Sequence, residues 1–84
     1  MKFIKDKDIF YRSYETKEVG DKKYITICFD NEEGDKEYVN FNGNVEELEN
    51  LENGSSVRLY FKIYRDRDSY YKLNGLSIYK IEVI

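Results

Sequence analysis

Polar and apolar residues alternate along several segments of the 84-residue chain, as they do in strands that bury one face. The clearest segment is 57–64, where the odd positions carry Val, Leu, Phe and Ile and the even positions carry Arg, Tyr and Lys. Segments 24–29 and 36–41 alternate in the same way. The pattern predicts five strands, at 9–19, 24–29, 36–41, 57–64 and 70–84, the last with a bulge or bend at Asn74-Gly75.

One segment between the third and fourth predicted strands carries helix signals. Asn44 is a suitable N-cap residue, and Glu47, three positions later, has the spacing of a capping box. Val45 and Leu48 follow at helical spacing, and Gly54 suits the C-terminal end. We therefore expect one helix of about two turns, which needs packing against the rest of the domain to be stable.

The order of three strands, one short helix and two strands is that of the oligonucleotide/oligosaccharide-binding (OB) fold. The chain from Gly20 to Ile81 resembles small OB-fold proteins that bind single-stranded nucleic acid, although by pattern and order rather than by a diagnostic motif. The similar features are the hairpin 24–41, the segment Leu48-x-x-Leu51-x-x-Gly54, and the strand 57–64 followed by 71–81. The expected fold is a single domain over residues 1–84, mainly β, with a five-stranded Greek-key OB-like barrel and one short helix between strands 3 and 4. An SH3-like barrel and a β-roll are the alternatives.

Charge is segregated along the chain. The 14 basic and 17 acidic residues give a net charge of −3. Residues 1–29 have a balance of +2, residues 30–53 have −8, and residues 54–84 have +3. A folded domain with this layout has an acidic region and at least one basic region, unless the charges simply solvate its surface.

The composition argues against catalysis and against metal or cofactor sites. The chain has no His, and the single Cys28 therefore has no His partner for nucleophilic chemistry or for zinc. The acidic run Asp30–Asp35 does not fit an EF-hand loop, because its fifth position is Gly34. We predict a polar hairpin turn there, no enzyme activity and no cofactor. The apolar runs are too short for a membrane helix, the N-terminus lacks a signal-peptide core, and we expect a cytoplasmic protein.

The resemblance implies a ligand surface on the second and third strands and their flanking loops. Alternation places Tyr24, Thr26 and Cys28 outward on the second strand, where tyrosine rings can stack on bases and lysines or arginines can contact phosphates. The same tyrosines can also serve only as cross-strand pairs that stabilise the sheet. The candidate nucleic-acid-binding residues are Tyr24, Lys36, Tyr38, Lys22, Lys23, Arg65 and Arg67.

A second polar face lies on the fourth predicted strand, and it consists of Arg58, Tyr60, Lys62 and Tyr64. This face could extend a nucleic-acid path, pack beneath the helix, or form a contact between subunits of a homo-oligomer, because Tyr and Arg are common at interfaces.

Two functions from different classes follow. The first is a single-stranded DNA- or RNA-binding module, of the kind carried by phages or mobile elements. The second is an acidic interaction or inhibitor module, whose region 30–53 docks on a basic partner or mimics nucleic acid. The aromatic and basic surface favours the first function, and the net charge favours the second.

Overall fold

The computed structural model describes residues 1–65 and 73–84, with the backbone alone at 64, 65, 73 and 74. Within these residues the protein is mainly β, as predicted, and its strands form one six-stranded sheet. The strands are β1 (Lys2–Lys5), β2 (Phe10–Val19), β3 (Lys22–Asp30), β4 (Lys36–Phe41), β5 (Val57–Arg65) and β6 (Leu73–Val83). No helix in the described part of the chain has the length and apolarity to cross a membrane.

The sheet has the strand order β1-β5-β6-β4-β3-β2. Strands β2, β3 and β4 form an antiparallel meander, and β1, β5 and β6 form a second antiparallel group. The two groups join through a short parallel pairing of β4 with β6, in which Asn40 lies opposite Ser77 and Phe41 opposite Ile78. This junction places the start of β3, the end of β4 and the middle of β6 close together.

The end strand β2 approaches the start of β5 without forming a continuous ladder. The amide of Val57 donates to the carbonyl of Ile9 at 3.1 Å, and the amide of Tyr11 donates to the carbonyl of Ser55 at 2.9 Å. An isolated bridge pairs Phe10 with Ser56. The sheet is therefore not closed into the predicted barrel, because the contact between β2 and β5 is limited to a few residues around the start of β5.

The number of strands also differs from the prediction, since the described residues form six strands instead of five. The additional strand is β1, which pairs with β5 and stacks Phe3 on Phe61 with ring centroids 4.8 Å apart. Its four residues begin and end with lysine, which is typical of a strand at the edge of a sheet. A segment this short has too few positions to establish a period, and the sequence pattern therefore did not reveal it.

The predicted helix is reduced to a 3-10 turn at Val45–Glu47. The backbone amide of Asn44 donates to Glu47 Oε2 at 3.0 Å, so the capping signal in the sequence marks the start of a real turn. A longer helix does not form in this segment. Leu48 is buried and Leu51 packs against the core, but Asn50, Asn53 and Gly54 in the same segment are poor helix formers.

The core lies on the inner face of the curved sheet. Its fully buried aliphatic side chains include Ile9, Ile27, Leu48, Leu59 and Ile78. The inward faces predicted for the strands at 24–29, 36–41 and 57–64 supply much of this core, which confirms the period-two interpretation of those strands.

The predicted irregularity at Asn74-Gly75 is also present. Ile63 pairs with Leu76 and Arg65 pairs with Leu73, so β6 has one more residue than β5 between the two pairs. Gly75 has a φ of 94°, which other residues rarely adopt.

Candidate nucleic-acid interface

The outer side of β3 and β4 carries two exposed tyrosines. The strand register pairs Thr26 with Asn40 and Cys28 with Tyr38, so these side chains lie on the same side of the sheet as Tyr24. We call the surface formed by Tyr24, Thr26, Tyr38 and Asn40 the tyrosine face. Tyr38 is 63% exposed and Tyr24 is 44% exposed, so both rings are accessible to a ligand.

The two rings of the tyrosine face are separate platforms. Tyr38 lies opposite Cys28, which is four positions from Tyr24 along β3. At roughly 3.3 Å per residue, this spacing is about 13 Å. The rings are too far apart to stack on each other, and each presents a face to solvent. A flexible polymer that follows β3 would meet the two rings in turn.

Lysines lie at both ends of the tyrosine face. Lys22 and Lys23 open β3 at one end, and Lys36 opens β4 at the other, and all three are exposed. Lys22 and Lys23 were expected in the loop between the first two predicted strands, but the turn is shorter and both residues are paired with β2. Lys17, which the sequence interpretation did not select, is exposed on β2 directly opposite Tyr24.

An arginine–aspartate pair lies at the Lys36 end. Arg12 donates to Asp30 Oδ2 from Nε at 2.8 Å and from Nη2 at 2.6 Å, and its Nη1 donates to Asn53 at 3.0 Å. Hydrogen bonds from Arg12 hold the pKa of Asp30 below its usual value, and the charge of Lys36 adds to this effect. The carboxylate nearest Lys36 is thus already balanced by a guanidinium.

Arg12 was missed from the sequence because it occupies an irregularity in β2. The β2–β3 register shifts between Tyr11 and Ser13, so Arg12 is an extra residue in the ladder. A strict period of two gives no signal for such a position.

Cys28 is buried, with 6% exposure, which corrects the expectation that it lies on the open outer surface. Its strand position does pair it with Tyr38 on that side, but neighbouring side chains cover the thiol. A hydrogen bond with Cys28 raises the pKa of Tyr38, and the charge of Glu15 contributes to the same shift.

A polar cleft of about 590 Å³ borders the tyrosine face at Tyr24. It lies between the start of β3, the end of β4 with the loop 42–44, and residues 75–77 of β6. The sequence did not reveal this cleft, because its walls come from distant segments that the β4–β6 junction brings together. Its volume is in the range of small-molecule sites.

The second predicted face, on β5, forms a network of internal contacts that we call the β5 network. The Tyr60 hydroxyl donates a short hydrogen bond to Glu82, and Arg58 Nη1 lies 3.7 Å from the same carboxylate. Lys80 Nζ lies 5.1 Å from the centre of the Tyr60 ring, and the centres of the Tyr60 and Tyr79 rings are 5.9 Å apart. The hydrogen bond from Tyr60, with the charges of Lys80 and Arg58, holds the pKa of Glu82 below its usual value.

The other residues predicted to contact a ligand or a second subunit lie on β5 or outside the described residues. Lys62 lies on β5 opposite Lys2 of β1 and is half-buried. Tyr64 and Arg65 belong to β5, but their side chains lie outside the described residues. Arg67 lies outside the described residues altogether.

The predicted hairpin turn at 30–35 connects β3 to β4. Asn31 Oδ1 accepts hydrogen bonds from the amides of Glu33 at 2.9 Å and Asp35 at 3.0 Å, and Gly34 has a φ of 83°. These contacts make the segment a compact Asn-initiated turn.

Comparison of the chain with protein-family models, with curated proteins and with solved structures found no match. The candidate site is therefore defined by its own geometry. That geometry consists of two exposed rings, lysines at both ends and a polar cleft beside one ring. Chemically, it offers stacking platforms, cations and hydrogen-bonding groups.

Proposed function

We propose that the protein is a non-catalytic module that binds single-stranded nucleic acid along the tyrosine face. The observation that carries the proposal is the exposure of Tyr24 and Tyr38 on one side of β3 and β4, with lysines at both ends. Single-strand binders combine aromatic platforms with a cationic path for the backbone. Tyr24 and Tyr38 stack on bases, and Lys22, Lys23 and Lys36 contact phosphates.

The strand arrangement supports an OB-like barrel as the framework of this module. OB folds are partly open barrels that bind ligands on strands 2 and 3, and here those strands are β3 and β4. The hydrogen bonds from Tyr11 and Val57 hold β2 close to the start of β5, as a partly open barrel requires. In this interpretation β1 is an addition at the edge of β5.

The charge distribution supports a modest affinity. Glu15 lies opposite Thr26 and is exposed beside the tyrosine face. A phosphate backbone that follows β3 must therefore stay on the side of β4 and the lysines. The acidic net charge of −3 adds a weak repulsion over the whole surface, which salt screens.

The direct test is a titration of the protein with labelled oligo-dT and oligo-U, followed by fluorescence anisotropy at low and moderate salt. Tyrosine emission gives a second signal, because the chain has nine Tyr and no Trp. We expect binding at low salt, with a decrease of about 0.7 log units in affinity per log unit of salt for each phosphate contacted. Absence of binding at low salt contradicts the proposal.

A second function is supported by the acidic region. Glu32, Glu33, Glu46, Glu47 and Glu49 are all exposed in the segment 30–53. This arrangement favours an interaction or inhibitor module that docks on a basic partner. The test is capture of the chain on an immobilised basic peptide, which should be lost when the exposed glutamates are replaced by Gln. This result, together with absence of oligonucleotide binding, selects this function over the first.

A further inference from the structure

The cleft beside Tyr24 has an unusual lining for this protein. The chain carries 17 acidic residues, but among the described residues that line the cleft Lys23 is the one charged side chain. The other polar lining residues are Asn40, Asn42, Asn44 and Ser77, and the apolar residues Ile25, Phe41 and Leu76 also line the cleft with Tyr24. The cleft is therefore a concentration of neutral hydrogen-bonding groups on an otherwise charged surface.

Carboxamides match the edges of nucleobases. Each asparagine side chain offers one acceptor oxygen and two N–H donors, and it can form a paired hydrogen bond with an adjacent donor and acceptor on a base. Such contacts distinguish one base from another, whereas stacking alone tolerates every base. Asn40, which is exposed and lines the cleft, thus offers a carboxamide of the kind that base recognition needs.

The loop that carries two of these asparagines is held in place from both sides. Asn42 donates from its backbone amide to the carbonyl of Ile78 at 2.8 Å and from Nδ2 to Ser77 Oγ at 3.3 Å. The backbone amide of Asn44 donates to Glu47 Oε2 at 3.0 Å. A site with fixed groups loses less conformational entropy on binding than a mobile loop would.

Gly43 allows the loop 42–44 to lie close to the end of β4. A Cβ atom at position 43 would lie 2.4 Å from Phe41 Cζ and 2.5 Å from Glu47 Oε2. Phe41 is buried in the core, and Glu47 is engaged with Asn44. Since neither neighbour can move freely, only glycine lets the loop lie this close to the end of β4.

The surroundings favour a base inside the cleft and the phosphates outside it. Tyr24 lines the cleft and is exposed, so its ring can stack on an inserted base. Lys23 and Glu46 both line a smaller adjoining cleft of about 270 Å³, so that cleft has one charge of each sign. Lys22 and Lys23 lie at the start of β3 and can contact the phosphates that flank the base.

We propose that this cleft holds one unpaired nucleobase, stacked on Tyr24 and recognised through the carboxamides of Asn40 and the loop 42–44. The inference rests on the proposed function, and it adds base preference to a surface that otherwise binds any sequence. The site takes the base of a single-stranded nucleotide, because a base within a duplex has its pairing edge occupied.

The experiment measures affinities for labelled dT, dA and dC 12-mers with the wild-type protein and with Asn40→Ala. Asn50→Ala is the matched control, because Asn50 is exposed in a turn outside the cleft. We expect the wild type to prefer one homopolymer by about fivefold or more. Asn40→Ala should reduce this ratio toward one without changing the salt dependence, and Asn50→Ala should keep the ratio.

The possible failures are distinguishable. Binding without any base preference, or a preference that survives in Asn40→Ala, overturns the base cleft and leaves the proposed function intact. Absence of binding to all three oligonucleotides overturns the proposed function, and the cleft inference falls with it. Gly43→Ala, checked for folding by circular dichroism, is a second variant that should lose the preference by displacing the loop.

Discussion

The tyrosine face and the β5 network are built from the same residue types and use them differently. Both combine tyrosine rings with lysines on the outside of one sheet. In the β5 network, Tyr60 donates to Glu82, and Lys80 lies over the Tyr60 ring. On the tyrosine face, Tyr24 and Tyr38 expose their rings, and the nearby carboxylate of Asp30 is paired with Arg12.

This difference shows that tyrosine and lysine content does not by itself indicate a binding surface. A ring that lies against other side chains of the protein, as the Tyr60 ring does against Tyr79 and Lys80, contributes to stability. A ring that remains exposed beside uncommitted surface can contribute to ligand binding. The two surfaces should therefore respond in opposite ways to substitution, with affinity changing at one and stability at the other.

The largest effect is expected from the core that both surfaces share. Leu59 is fully buried beneath the β5 network, and Leu59→Ala should destabilise the protein by about 2–5 kcal/mol. Urea denaturation measures this change. Ile4→Ala is the control, because Ile4 is 54% exposed and its truncation should lower the free energy of unfolding only slightly. Equal losses in the two variants would contradict the assignment of the core.

The next effect is on affinity at the tyrosine face. Tyr24→Ala and Tyr38→Ala should each weaken oligonucleotide binding about tenfold or more, because each removes a stacking platform. Tyr24→Phe and Tyr38→Phe keep the ring and should bind nearly as the wild type does. If the Ala variants bind normally while their folding is intact, the two tyrosines serve only as cross-strand pairs.

A smaller effect is expected from Tyr60→Phe in the β5 network. This change removes the hydrogen bond to Glu82 but keeps the ring and its contact with Lys80. Thermal denaturation should show a decrease of about 2–5 °C in Tm, with no change in oligonucleotide affinity. A clear loss of oligonucleotide affinity in this variant would instead show that the β5 network is part of the binding surface.

The smallest effect concerns acid stability. Asp30 and Glu82 have pKa values below their usual 3.8 and 4.5, because hydrogen bonds from Arg12 and Tyr60 favour their charged forms. Their contribution to folding is present above those usual values and is lost as the pH falls through the lowered pKa values. Asp30→Asn should flatten the decrease in stability below about pH 4, and urea midpoints measured between pH 2 and pH 7 test this.

The sequence predicted those parts of the fold that depend on local alternation. Strand β4 has the predicted bounds, and Val39 and Phe41 point into the core as expected. The features that it missed depend on contacts between distant segments. Strand β1 is too short to show a period, Arg12 occupies a bulge, and the helix shortens to one turn although Leu48 and Leu51 both pack against the core.

The sequence likewise predicted those parts of the candidate site that depend on local alternation. Alternation placed Tyr24 and Tyr38 on one outer face, and the strand register agrees. The cleft beside Tyr24 was not predictable, since residues 75–77 reach it only through the pairing of β4 with β6. The burial of Cys28 was missed as well, because alternation gives the direction of a side chain and not what covers it.

The parallel pairing of β4 with β6 also has a consequence for how the protein folds. The meander β2–β3–β4 joins neighbours in the chain and can form early, because its hairpin loops are short. The pairs Asn40–Ser77 and Phe41–Ile78 join opposite halves of the chain. Forming them closes the long loop between β4 and β6, and this lowers the conformational entropy of the chain before the contacts stabilise it. The pairing of β1 with β5 joins residues still farther apart in the chain, so both pairings should form after the meander, and the cleft is complete only when β4 has paired with β6.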